Sequence, residues 1–162
     1  MSNQLFVHSG SKNEKYQFLL QQIPELLDPQ SDVIANMANM VAALKETFGF
    51  FWIGFYRVEG EQLVLGPFQG PIACTRIAKG KGVCGVAWQK ARTHLVSNVH
   101  EFPGHISCND ASKSEVVVPV LVSGQVVAVL DIDSDEFATF DTIDQEYLEK
   151  ICACLGQLYH SY

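Results

Sequence analysis

The sequence predicts an α+β fold built as one domain, and three observations carry that prediction. Apolar residues recur at helical spacing in two stretches before residue 50. The middle of the chain holds β-branched runs bounded by Gly, Pro and Asp. A third helical stripe follows Asp141, so helices flank a mainly antiparallel sheet instead of alternating with its strands. With 162 residues, 48% of them apolar, the chain can bury a real core, and disorder is excluded.

Residues 1–11 are expected as a loose arm. Tyr16, Leu19, Leu20, Ile23, Leu26 and Leu27 give a helix from Lys12 to Leu27, limited or kinked by Pro24. A second helix is predicted from about Asp32 to Phe48, with Val33, Met37, Met40, Val41 and Leu44 as its stripe and Gly49 at its end. The aromatic and β-branched run Phe50 to Val58 reads as a strand. Glu59-Gly60-Glu61 turns it into a partner over Gln62 to Leu65, and composition makes 66–71 a loop. Glycines lead into a short helix after Lys79, and Thr93 to Val96 is a short strand. Residues 97–114 form a polar loop long enough to suggest function. The centre of the chain is the Val-rich stretch 115–134, two apolar runs joined at Ser123-Gly124, a hairpin signal. A final helix, capped by Asp141, runs to about Tyr159 on Ile143, Tyr147, Leu148, Ile151, Leu155 and Leu158.

The central hairpin carries the acids. A period of two puts Val127, Val129, Asp131 and Asp133 on one face, so an apolar face finishes in paired carboxylates. A strict two-residue turn pairs Val122 with Gln125 and sets Glu115 opposite Ile132, facing away from Asp131 and Asp133. Bringing all three acids together requires a bulge, near Pro119, or a different loop length. Acids so clustered cannot all ionise, so one should hold a proton near neutral pH. Trp52 and Tyr56, four apart in a strand, share a face.

A net charge of −7 and a pI near 5.1 argue against a nucleic-acid surface and favour a soluble monomer or small oligomer, a homodimer among them. No run reaches the length of a membrane span, and Met1 to Phe6 lack a basic region followed by an apolar block, so a cytoplasmic protein is expected. In a reducing compartment the five cysteines, Cys74, Cys84, Cys108, Cys152 and Cys154, are buried hydrophobes, metal ligands or redox groups. No compact CxxC pair links the first three, and His100 and His105 beside Cys108 match no standard zinc pattern, so no metal is expected. Cys152 and Cys154 face different sides of one helix and read as packing. The run Gly80-Lys81-Gly82-Val83-Cys84-Gly85 lacks a P-loop ending and dinucleotide spacing, and reads as a tight turn presenting Cys84.

Several segments in order, among them Trp52-Ile53-Gly54-Phe55-Tyr56, Ala73-Cys74, Gly80 to Gly85, Gly104 to Cys108, Ser114-Glu115 and Leu130-Asp131-Ile132-Asp133-Ser134, form a combined pattern. It resembles the free methionine-(R)-sulfoxide reductases, small GAF-fold enzymes, from about Lys12 to the last helix. The resemblance implies a six-stranded antiparallel sheet, with terminal helices on one face and ligand-gripping loops on the other. It implies reduction of free L-methionine (R)-S-oxide through a cysteine sulfenic acid and an intramolecular disulfide, recycled by thioredoxin with no bound cofactor. Cys108 is the implied attacking thiol, with Cys84 a competing candidate, and Cys74 and Cys84 are candidate resolving thiols. Glu115 is the implied proton donor, with Asp133 the alternative. Asp131 and Asp133 are implied ammonium anchors, and Trp52 and Tyr56 implied substrate contacts. One position departs from the family's pattern: Asn98 stands before Val99-His100 where Asp is usual, which removes a charge from the loop. The alternative reading is a GAF module that binds a small ligand without catalysis, which would not require three cysteines in these contexts.

Overall fold

A computed structural model of the protein describes residues 4–159. The elements follow as α1 (Lys12–Leu26), α2 (Val33–Phe48), β1 (Trp52–Glu59), β2 (Gln62–Gln69), β3 (Arg76–Ala78), α3 (Gly82–Lys90), β4 (His94–Val96), β5 (Ser114–Val122), β6 (Gln125–Ser134) and α4 (Thr142–Leu158). The strands form one antiparallel sheet in the order β3-β2-β1-β6-β5-β4. The expected α+β architecture is therefore present, with the six strands that the resemblance implied.

Local chemistry explains the boundaries. Ser11 and Glu14 make a capping box at the start of α1, and Asp141 and Asp144 make another at the start of α4. Asp32 caps α2, and Gly49, at φ 67°, ends it in the left-handed region. Pro24 sits in the last turn of α1, which closes at Leu26. The arm expected to be loose is tied down in its described part: Phe6 donates its N–H to Gln22 Oε1 at 2.8 Å, and Gln22 Nε2 donates back to Phe6 O at 2.7 Å. Residues 1–3 of that arm lie outside the described residues.

Two expectations about β-structure need correction. Strand β2 does not stop at Leu65 but runs to Gln69, through residues that composition assigned to a loop. Pairing steps from Gly54↔Phe68 to Tyr56↔Leu65, so Gly66 and Pro67 together face the single residue Phe55. A bulge is where a strand tolerates proline, because no ladder N–H is needed there. The second correction is in β6. Pairing runs Leu121↔Val126 and then Val120↔Ala128, which leaves Val127 as an extra residue. The bulge turns Val127 toward the helices and away from the face of Val129, Asp131 and Asp133 that it was expected to share.

The sheet thus has two distinct faces. Ile53, Phe55, Val116, Val118, Val120, Leu130 and Ile132 join Tyr16, Met37, Met40, Leu44, Leu148, Ile151 and Leu155 in the main core beneath α1, α2 and α4. Cys152 is buried in that core and Cys154 is half-buried at its edge, as packing residues would be. Beside the core, Tyr16 donates to Asp144 at 2.5 Å and Lys12 bonds the same carboxylate at 2.7 Å, which locks α1 to α4. The opposite face carries Trp52, Tyr56, Val117 and Val129 beneath α3 and the loops. Helix α4 reaches the sheet at Gly156, where an added Cβ would stand 2.6 Å from the carbonyl oxygen of Leu121. We predict that Gly156→Ala lowers stability by about 1–3 kcal/mol despite its better helix propensity, because backbone cannot yield as a side chain does. A urea midpoint that fell with an unchanged slope would bear this out; a raised midpoint would show a looser contact.

Candidate functional site

Three rungs of the sheet build the floor. Asp133 pairs with Trp52 on β1 and with Glu115 on β5; Asp131 pairs with Gly54 and Val117; Val129 pairs with Tyr56 and Pro119. The strict hairpin register would have placed Glu115 opposite Ile132. The bulge within the hairpin, one step from Pro119, moves Glu115 opposite Asp133, so all three acids share the face that the helices leave open. The turn itself is the expected two-residue one, with φ positive at both Ser123 and Gly124 as a primed hairpin turn requires. Gly54 is needed at the centre of the floor, since a Cβ there would lie 2.4 Å from Phe68 Cβ and 2.7 Å from the Trp52 ring.

The far ends of β5 and β6 are clamped by hydroxyls. Ser114 Oγ donates to the carbonyl of Glu136 at 2.6 Å, Ser134 Oγ and Thr139 Oγ1 are 2.6 Å apart, and Lys113 N–H bonds Ser134 O at 2.7 Å. These bonds flank Glu115 and Asp133, and hold the register on which their meeting depends.

Helix α3 and two loops make the walls. Cys84, in the first turn of α3, is buried with Sγ 4.0 Å from Glu115 Oε1. Cys74, on the β2–β3 connection, is disulfide-bonded to Cys108 on the 102–113 loop, with Cα atoms 5.5 Å apart. The sequence left Cys74 and Cys84 equal as partners of Cys108; the fold pairs Cys74 with it and leaves Cys84 as a free thiol. Tyr56 lies on the cavity wall, and its hydroxyl donates to the Cys74 carbonyl at 2.8 Å, anchoring that loop. Trp52 stacks 6.2 Å from Tyr56 and donates Nε1–H to Pro71 O at 2.9 Å. Trp52, Tyr56, Cys84, Cys108, Glu115, Asp131 and Asp133 all line one cavity.

The cavity is electrostatically unusual. Glu115 and Asp131 are each only 6% exposed, and among the described residues Asp131 Oδ1 has no hydrogen-bond donor. Burial, then the charges of Asp131 and Asp133, push the Glu115 carboxyl well above the ordinary range. Burial pushes Asp131 up to about 6, against hydrogen bonds to Glu115 and Cys84 that hold it down. Asp133 is partly exposed, and desolvation followed by the Asp131 charge raises it as well. The Cys84 thiol is raised by its burial first and then by all three acids, so it is a neutral thiol and a poor nucleophile.

The sequence reading missed the positive end of the cavity. Lys81, the N-cap of α3, makes no side-chain cap bond, and Lys81, Gly82, Val83 and Cys84 line the wall, so the N-terminal turn of a helix, the end that carries the positive pole, lies on the same cavity as the acids. The signal was available in Gly80-Lys81-Gly82, a glycine-flanked helix start without Ser, Thr or Asp. His105, half-buried on the wall, has its imidazole lowered by burial and is neutral near pH 7. Asn98 accepts from the His100 N–H at 3.0 Å and caps a short 3-10 turn over Val99–Glu101; it does not line the cavity. Asn serves as a cap as well as Asp does, so the departure from the family's pattern leaves this turn intact.

The GAF domain family matches residues 31–158. The chain is 54% identical over 156 residues to GAF domain-containing protein A of Dictyostelium discoideum, spanning 96% of this chain and 99% of that protein. It is 42% identical over 149 residues to the free methionine-R-sulfoxide reductase of Escherichia coli strain K12, covering 91% and 90% of the two chains. The crystal structure of free methionine-R-sulfoxide reductase from Neisseria meningitidis, in complex with its substrate, superposes with a TM-score of 0.95 at 43% identity, over 99% of this chain and 97% of that one.

Raised carboxyls have a consequence for stability. A group that binds its proton more tightly when folded favours the folded state at low pH, and that contribution is lost as pH rises from the unfolded value near ~4 through the folded one. For Asp131 the window runs up to about 6. Asp131→Asn should therefore gain stability relative to the parent on going from pH 4 to pH 7, on the order of 2 kcal/mol. Urea titrations at both pH values measure it; a constant difference between the two proteins would contradict the raised carboxyl.

Proposed function

This chain belongs to the GAF-fold free methionine-R-sulfoxide reductases, and from that membership we propose that it reduces free L-methionine (R)-S-oxide to L-methionine with its own thiols. The observation that carries the reading is the Cys74–Cys108 bond beside a cavity that Cys108 lines and that Glu115, Asp131 and Asp133 floor. A ligand-sensing module accounts for the cavity and not for the disulfide at its wall.

The substrate carries an ammonium, a carboxylate and a sulfoxide. Asp131 Oδ1, a buried acceptor without a donor, suits the ammonium, and binding a cation there would let Asp131 and Asp133 ionise. The first turn of α3 and Lys81 suit the carboxylate. Trp52 offers a face to the methyl and sulfur. Both charged ends of the substrate are features that a peptide-bound methionine lacks.

The chemistry then balances with two thiols. In the dithiol form, the Cys108 thiolate attacks the sulfoxide sulfur while Glu115, whose carboxyl is pushed well above the ordinary range by burial and then by its neighbouring acids, protonates the departing oxygen. The oxygen ends on Cys108 as a sulfenic acid, and methionine leaves. Cys74 attacks that sulfenic sulfur, forms the disulfide and expels the oxygen as water. Two electrons from an external dithiol, which we assign to thioredoxin in a reducing cytoplasm, restore both thiols. Cys84 stays neutral throughout and touches Glu115, so its part is to tune the acid.

The reading is tested by an assay that couples thioredoxin, its reductase and NADPH to each free epimer in turn. Oxidation of NADPH should follow the R epimer and neither the S epimer nor a peptide-bound sulfoxide; equal rates on both epimers would sink the assignment. Cys108→Ser should yield no methionine in a single turnover, and Cys74→Ser about one methionine per chain without efficient recycling. Glu115→Gln should lower kcat by about 10²-fold, whereas Asp131→Asn should act mainly on KM.

A further inference from the structure

The cavity floor also forms a ligand set for a cation of a different kind. Cys84 Sγ and one carboxylate oxygen each from Glu115 and Asp131 lie within 4.8 Å of one another, and all three residues are buried. Ionised carboxylates cannot donate, so Asp131 Oδ1, which has no hydrogen-bond partner among the described residues, is met within this cluster only by a proton carried on Glu115 or on Cys84 Sγ. A cation at the centre of the three donors is the other way to meet that need. We propose that Cys84, Glu115 and Asp131 form an inhibitory site for a borderline-soft divalent cation, Zn²⁺ in particular, within the cavity.

The donor set selects the ion. One thiolate and two carboxylates, with a fourth position open toward the cavity, match zinc, which takes sulfur at ~2.3 Å and carboxylate oxygen at ~2.0–2.2 Å in tetrahedral sites. Those bond lengths place sulfur and oxygen about 3.6 Å apart. The Cys84 Sγ to Glu115 Oε1 separation of 4.0 Å therefore needs to contract only slightly. Magnesium and calcium want six or more oxygen ligands, and a buried thiol beside two carboxylates does not supply them. Sequence spacing conceals the set, because Cys84 comes from α3, Glu115 from β5 and Asp131 from β6. A bound cation would occupy the place given above to the substrate ammonium. That clause rests on the proposed function; the binding itself does not.

The direct test uses the full chain in its disulfide form, where Cys74 and Cys108 cannot supply a thiolate, titrated with Co²⁺ as a spectroscopic stand-in for zinc. One Co²⁺ per chain should bind with a thiolate-to-cobalt charge-transfer band, be displaced by Zn²⁺ and be unmoved by excess Mg²⁺. The band should vanish in Cys84→Ser, and affinity should fall by about tenfold or more in the near-isosteric Asp131→Asn, with circular dichroism confirming that both variants fold. Absence of the band, its survival in Cys84→Ser, or equal displacement by Mg²⁺ would each overturn the site. A protein that binds cobalt in this way but reduces no sulfoxide keeps the cation site and loses the proposed function; the converse result separates them the other way.

Discussion

The extra residue Val127 in β6 decides which carboxylates meet. Without it, Glu115 would face the apolar core under the helices, where an acid has no partner and its burial would cost several kcal/mol. With it, the first half of β5 is registered so that Glu115, Asp131 and Asp133 look into one cavity. The same shift keeps Val116, Val118 and Val120 facing the main core with Leu130 and Ile132. A single bulge therefore serves packing on one face and chemistry on the other. The hydroxyl clamp at Ser114, Ser134 and Thr139 fixes the free ends of the two strands that the bulge has realigned.

Gathering three acids opposes folding, and the architecture offsets it elsewhere. Each carboxyl is raised, so at neutral pH the folded chain either holds protons that the unfolded chain would release or tolerates repulsion. The two-layer core of α1, α2 and α4 on the sheet supplies the compensating burial, and the α1–α4 lock at Asp144 secures it. The result is a cavity with an unpartnered buried acceptor, Asp131 Oδ1, on its floor and the N-terminal turn of α3 on its wall. Preorganisation of this sort spares the reorganisation that water would require as charge develops on oxygen.

Much of this was legible from residues. The helix stripes and caps, the two-residue hairpin turn, and the shared face of Trp52 and Tyr56 follow from period and turn chemistry, and the structure has them. Glu115 was different: the plain register put it on the wrong face, and only the family pattern demanded the bulge that is present. The position of that bulge was not readable, because Val126 and Val127 are the same residue type and either face accepts valine. Residues 66–69 misled for a related reason: Gly and Pro mark loops by composition and also mark bulges inside strands. Pairing among Cys74, Cys84 and Cys108 depends on where two loops cross the sheet, a long-range fact that spacing does not contain. The uncapped start of α3 is present in Gly80-Lys81-Gly82, but the same glycines fit a plain tight turn, so composition does not mark them as a cavity wall.

The proposed chemistry requires a buried carboxyl that keeps its proton at neutral pH. Infrared spectroscopy of the disulfide form reads this directly, through the carbonyl stretch of a protonated acid, which is separate from that of a carboxylate. The structure predicts such a band at pH 7, lost or reduced in Glu115→Gln and diminished when a primary ammonium ligand enters the cavity. Finding only ionised carboxylates at pH 7 in the parent protein would contradict it.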